Sequence, residues 1–154
     1  MFAQLSSSFS RSRLISPLFV GSICALTALS AQAYERIVAM SSDVADIIVA
    51  LGATDKLVGK DATNSHPALK DVPKVGMHRN ITAESVLAVK PDLVLGSYMV
   101  QPVSVYQRLN DLNVKAANVA PKEGVDYFAN SIKATGIYIG NRSEAAQLAD
   151  RCSR

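Results

Sequence analysis

Apolar positions along the chain alternate between short continuous runs and helical spacing. Residues 35–40 form a short β-rich run. Ser41 and Ser42 follow with hydroxyls suited to an N-cap, and Val44, Ile47, Ile48 and Leu51 then recur at i, i+3, i+4 and i+7. This pattern predicts a strand and then a helix. Gly52 supplies the stop, since a helix commonly ends on a residue in the left-handed region, where glycine has no side chain to clash. A second strand is predicted over 56–60. Residues 61–75 turn polar, with Asn64, Ser65, His66, Pro67, Asp71 and Pro73, and read as a long connection rather than a packed element. Loops of that length usually serve a purpose.

A short strand is predicted near 74–76. Thr82 can cap a helix whose apolar face is Ala83, Val86 and Leu87, with Lys90 suited to its C-terminal dipole and Pro91 blocking its continuation. Residues 92–96 read as a buried strand and 97–101 as a loop. Val105, Leu109 and Leu112 mark a third helix, and 115–119 a further strand. Val125, Phe128, Ile132 and Ile139 mark a fourth helix closed by Gly140, and Ser143 opens a last one through Ala146 and Ala149. Strands alternating with helices predict an α/β fold, a mainly parallel sheet flanked by helices, with ligand contacts on loops outside the carboxyl ends of strands. Two loops qualify, 61–80 and 97–101.

Composition changes the picture first at the N-terminus. Residues 1–33 carry no acidic side chain, place Arg11 and Arg13 before an apolar stretch at 14–29, and finish in Ala31-Gln32-Ala33. This is the pattern of a cleaved secretory signal peptide. A transmembrane anchor fits less well, because Ser16, Pro17, Gly21 and Ser22 interrupt a stretch shorter than the roughly 20 residues a span needs. Lipid attachment at Cys24 is disfavoured by the bulky Ile23 before it. The whole chain has 16 basic and 13 acidic residues; removing Arg11 and Arg13 leaves fourteen against thirteen, so most of the basic character belongs to the address. The bases are scattered and Trp is absent, which sets nucleic acid aside as a partner. Cys152 is the one thiol outside 1–33 and cannot form an internal bridge in an oxidising compartment; it is either buried or available between molecules.

Familiar catalytic patterns are missing. Gly52 through Asp61 spaces its glycines too widely for a phosphate loop and puts a carboxylate where a hydroxyl is needed. No GxGxxG, GxSxG or HExxH occurs, and two histidines twelve residues apart do not assemble a triad. The chain is therefore not expected to be an enzyme, nor to carry a catalytic cofactor.

Several segments together carry a resemblance: Arg36-Ile37-Val38, residues 43–52, Leu57-Val58-Gly59, Val72-Pro73-Lys74-Val75-Gly76, and Ala88-Val89-Lys90-Pro91-Asp92-Leu93-Val94-Leu95. They resemble the N-terminal lobe of periplasmic solute-binding proteins of ABC importers for haem, cobalamin and ferric siderophores, over nearly all of 35–154. The resemblance implies a periplasmic protein that delivers its ligand to a permease in the inner membrane. Residues 75–84 are most similar to the haem branch, in which "VGY", one residue and then arginine precede a helix opening Ser-Ala-Glu. In that branch the tyrosine ligates haem iron, and Met77 stands at its position here. Haem is then the expected transported ligand, with a cobalamin or a ferric siderophore as the alternative.

Both Met77 and His78 belong to residue types that ligate haem iron axially. His78 is the preferred ligand, Arg79 can pair bidentately with a propionate, and Tyr98 on the second loop can stack on a flat ligand. Plainer roles stay open at this stage: His78 as a solvated loop residue, Met77 as a core plug, Tyr98 packed on its neighbours. His66 is expected to be exposed rather than coordinating. The resemblance also implies that Glu84, at a helix start, pairs with arginine on the permease. The plainer role for Glu84 is a helix-dipole contact of about 0.3–1 kcal/mol.

Resembled proteins have two lobes joined by a long helix, with the ligand between them. The expected organisation here is a signal peptide at 1–33, one lobe at 34–140, and the start of a truncated linking helix at 141–154. Pockets bury roughly 70–90% of a ligand, so one lobe alone implies weakened binding or a second-lobe partner, for which Cys152 and the unpaired helix face are handles. A rival from another class is a non-binding interaction protein that retains only the permease-docking surface.

Overall fold

The computed structural model describes residues 34–154; the expected signal peptide and Cys24 lie outside the described residues. In chain order the elements are β1 (Ile37–Ala39), α1 (Ser42–Ala50), β2 (Leu57–Asp61), β3 (Lys74–Gly76), α2 (Ala83–Leu87), β4 (Leu93–Ser97), α3 (Ser104–Asp111), β5 (Lys115–Ala120), α4 (Val125–Ile139) and α5 (Arg142–Cys152). Single 3-10 turns occupy Thr54–Lys56, Pro67–Leu69 and His78–Asn80. Every strand pair is parallel and the sheet order is β3-β2-β1-β4-β5. All five carboxyl ends therefore open on one edge. The direction in which successive strands are added across the sheet reverses between β1 and β4, the kind of switch point at which ligands of open α/β sheets bind.

The strands read as nearly unbroken apolar runs because both faces of the sheet are covered. Ile37 and Ala39 of β1 join Leu93 and Leu95 of β4 on one face, against Val44 and Ile48 of α1, Ile132 and Ile139 of α4, and Ala145 and Ala149 of α5. Val38, Met40 and Val94 point to the other, against Ala83 and Val86 of α2 and Val105 and Leu109 of α3. Each fully buried Val, Leu or Ile contributes about 1.5–3 kcal/mol. No helix among the described residues is long and apolar enough to cross a membrane.

Several local expectations are corrected. The 61–75 connection is packed: Asp61, Asn64 and Leu69 are buried, and the Asn64 side chain donates to Ser42 O and Asp46 Oδ1 while its carbonyl accepts from His66 N. Neither Ser41 nor Ser42 caps α1 with its hydroxyl; Ser42 Oγ turns instead to Asp61 and Thr63. α2 ends before Lys90, which takes a positive φ of 51°, and Arg36 satisfies the free carbonyls of Val89 and Lys90. Leu112 is exposed, because Tyr106 fills the α3 stripe and its buried hydroxyl donates to Ser97 O. Burial, and then the Asp43 charge, push the Tyr106 phenol well above its ordinary value, so it stays a donor. Val125, Phe128 and Ala146 are also exposed. Ser131, Ile132, Thr135, Gly136 and Ile139 make the α4 face instead, and Ala145 rather than Ala146 turns inward on α5.

The α4–α5 corner depends on one glycine. A Cβ at Gly136 would lie 2.2 Å from Ala145 Cβ and 2.9 Å from Asn141 O. Alanine in a helix interior is favoured over glycine by about 1 kcal/mol, but no real contact is that short, so overpacking decides the sign. Gly136→Ala is expected to destabilise the protein by about 1–3 kcal/mol, read as a lower midpoint in urea unfolding followed by circular dichroism. An unchanged or raised midpoint would contradict this packing.

Candidate functional site

The carboxyl edge of the sheet gathers residues far apart in sequence. Asp61 ends β2 with its side chain fully buried. A buried carboxylate is costly unless its oxygens are matched by donors. Oδ1 accepts from the backbone N–H groups of Thr63 (3.2 Å) and His78 (3.1 Å). Oδ2 accepts from Thr63 Oγ1 and from Ser42 Oγ (3.1 Å), and lies 2.9 Å from His78 Nδ1. Burial by itself would raise this carboxyl; the hydrogen bonds from Thr63, His78 and Ser42 outweigh it and hold it below the usual aspartate range.

An ionised carboxylate only accepts, so His78 Nδ1 is the donor, and in the neutral ring the lone pair sits on Nε2. Nε2 makes no hydrogen bond among the described residues. The His78 carbonyl accepts from Gln101 N at 2.6 Å, and Ile81 N returns a bond to Gln101 O at 3.1 Å. The 78–81 segment is thereby stitched to the loop after β4.

His78, Arg79, Tyr98, Met99 and Gln101 line one open depression of about 460 Å³. The loops after β3 and β4 thus bring together His78, Arg79 and Tyr98 of the residues singled out in the sequence. Arg79 is exposed and has no ion-pair partner among the described residues. Tyr98 is 38% exposed and also borders a smaller depression of about 170 Å³ with Asp43, Lys122, Glu123 and Phe128. Desolvation, and then the charges of Glu123 and Asp43, push its phenol upward, so it too stays neutral. Met77 is half exposed beside His78 and does not line the depression, which also removes the core-plug role.

The remaining candidates lie elsewhere. Glu84 is exposed in the first turn of α2, and its Oε1 is 4.0 Å from Arg108 Nη1 across to α3, a contact worth little at the surface. His66 caps the 3-10 turn after it, its Nδ1 accepting from Ala68 N. Cys152 is exposed on α5. Sequence reasoning weighed Asp61 only against a phosphate loop and passed over its role. Its one local signal is a carboxylate at a strand end followed two residues later by Thr63, which can hydrogen-bond back to it.

A family model described as "Periplasmic binding protein" matches residues 37–154. The Vitamin B12-binding protein of Yersinia pestis (strain Pestoides F) is 28% identical over 130 residues, covering 84% of this chain and 46% of that protein. The chain spans about half the length of the relatives it matches. A periplasmic haem-binding protein from Pseudomonas aeruginosa superposes with a TM-score of 0.70 at 32% identity, over 77% of this chain and 43% of that one. The periplasmic vitamin B12 binding protein of Vibrio cholerae superposes with a TM-score of 0.67 at 25% identity, over 77% and 47%.

The Asp61 cluster sets an acid limit. A carboxyl whose folded value is lowered contributes stability that is complete above its unfolded value of about 3.9 and lost as pH falls through the folded one. Asp61→Asn is expected to be less stable than the parent by about 1–3 kcal/mol at pH 7, and the gap should narrow as the parent is titrated below pH 4. Urea unfolding at several pH values measures it; a gap that does not depend on pH contradicts the assignment.

Proposed function

The chain belongs to the periplasmic binding protein family, and from that membership we propose that it is a haem-binding component of an ABC importer, acting in the periplasm after export directed by residues 1–33. The observation that carries this reading is the His78 ring, turned by Asp61 so that Nε2, without a hydrogen bond among the described residues, lies beside Arg79, which has no ion-pair partner among them, and a half-exposed Tyr98. One imidazole suits an iron whose equatorial positions a macrocycle already fills. Arg79 offers a planar fork of donors to a propionate carboxylate, and Tyr98 offers an apolar ring face with a polar tip. The ligand is carried and no bond in it is broken, so haem is cargo and not a catalytic cofactor.

Glu84 is the residue we assign to permease contact. Its carboxylate stands on the outer surface of α2, weakly engaged by Arg108 and open to a basic partner. In the same reading α5 is the start of the helix that links the two lobes of longer relatives, and a second lobe, supplied by a partner or by further chain, closes the ligand's other face.

A second reading, cobalamin as cargo, is favoured by the likeness to vitamin B12-binding proteins in both sequence and fold. The peripheral groups of a corrin are mostly amides, whereas haem presents carboxylates, so Arg79 separates the two. Titration with haemin is expected to shift the Soret band, and His78→Ala to change the spectrum of the adduct. Arg79→Ala should weaken haemin by about tenfold or more, the worth of a charge-assisted hydrogen bond, while leaving the dimethyl ester of haemin unaffected. No Soret shift at any stoichiometry, with cobalamin retained, would replace haem by cobalamin; failure of both ligands would favour a protein that only docks.

A further inference from the structure

The two histidines of the chain are set in opposite ways. His66 Nδ1 accepts a hydrogen bond from Ala68 N, which puts the proton of its neutral ring on Nε2. His78 Nδ1 faces a carboxylate oxygen, which puts the proton on Nδ1 and the lone pair on Nε2. The difference comes from Asp61. That residue holds His78 twice, by the backbone N–H through Oδ1 and by the ring through Oδ2, while Gln101 N holds the His78 carbonyl. Ring position, ring rotation and tautomer are all determined before any ligand arrives.

The Thr63 contacts to Asp61 are local and close the turn at the end of β2. The added contacts from Ser42 and His78 draw in two further elements, the first turn of α1 and the segment after β3, and aim the ring at the depression shared with Arg79 and Tyr98.

We propose that Asp61 is the positioning residue of the iron site, presetting His78 as an Nε2 ligand and making its imidazole a stronger donor by accepting the Nδ1 proton in a hydrogen bond. The inference rests on the haem reading above and extends it from the ligand to the group behind it. Ligating histidines are commonly oriented by a carboxylate in this way, and loss of that partner costs about 10–100-fold in metal affinity. Stronger donation also stabilises the ferric state, so the bound haem should have a lower reduction potential than it would with an unassisted imidazole.

The full chain loaded with haemin tests this. Asp61→Asn is expected to weaken haemin binding by about 10-fold or more, raise the reduction potential of bound haem, and lower the iron–histidine stretching frequency of the ferrous adduct in resonance Raman spectra. Because Asp61→Asn is also destabilising, a second test leaves Asp61 in place. In His78→Gly, added imidazole should restore the histidine-type spectrum at about tenfold lower concentration than 1-methylimidazole, which has no N–H to give Asp61, after correction for their binding to free haemin. Equal rescue by the two bases, or a folded Asp61→Asn with unchanged potential and Raman frequency, would overturn the role of Asp61 and leave haem binding intact. A parent chain that gives no Soret shift, or one whose adduct spectrum survives His78→Ala, would overturn the haem ligand assignment and this inference with it.

Discussion

One buried carboxylate organises the carboxyl edge of the sheet in this protein. Asp61 lies where water cannot solvate it, so its charge is tolerable only if donors converge on it. Those donors come from the turn after β2, from the start of α1 and from the segment after β3. Satisfying the charge therefore brings three strand ends into register, and the His78 ring is carried into place as part of the same requirement. The polar cluster and the candidate site are one object.

The sheet makes that convergence available. Because every pairing is parallel, each helix must return the chain across a face of the sheet, and all five carboxyl ends emerge together. Two apolar layers hold this polarity, one built on Ile37, Leu93 and Leu95, the other on Val38, Met40 and Val94. With the strands clamped from both sides, the loops at the carboxyl edge can carry side chains chosen for binding rather than for packing. Arg79 and Tyr98 stand exposed there, and the exposed Met77, Val125, Tyr127 and Phe128 add apolar surface to loops and the helix start at that same edge. In the haem reading proposed above, this apolar rim, the Arg79 cation and the oriented His78 imidazole would suit a flat, largely hydrophobic chelate with acidic arms.

Much of the fold was legible from sequence. Strand runs and helical spacings located every strand and every α-helix, Gly52 and Gly140 end their helices at φ of 74° and 86°, and Thr82 caps α2 through Ser85 N. These features are local, since they depend on neighbours a few residues away and on backbone sterics. Which face of α3, α4 or α5 turns inward was less legible. Tyr106 displaces Leu112 because Gly96 leaves room for its hydroxyl and Ser97 O accepts it, a fit between elements that no periodicity contains.

The site divides along the same line. Sequence alone determined that His78, Arg79 and Tyr98 follow the third and fourth strands, and hence that they stand at the carboxyl edge of the sheet. Only the tertiary structure decided that His78 is gripped by a carboxylate 17 residues earlier, that Met77 lies outside the depression, and that the polar connection after β2 is packed around Asn64 and Leu69. The physical reason is that a hydrogen bond to a buried charge is selected by where strand ends meet, and that meeting is set by the order of strands across the sheet rather than along the chain.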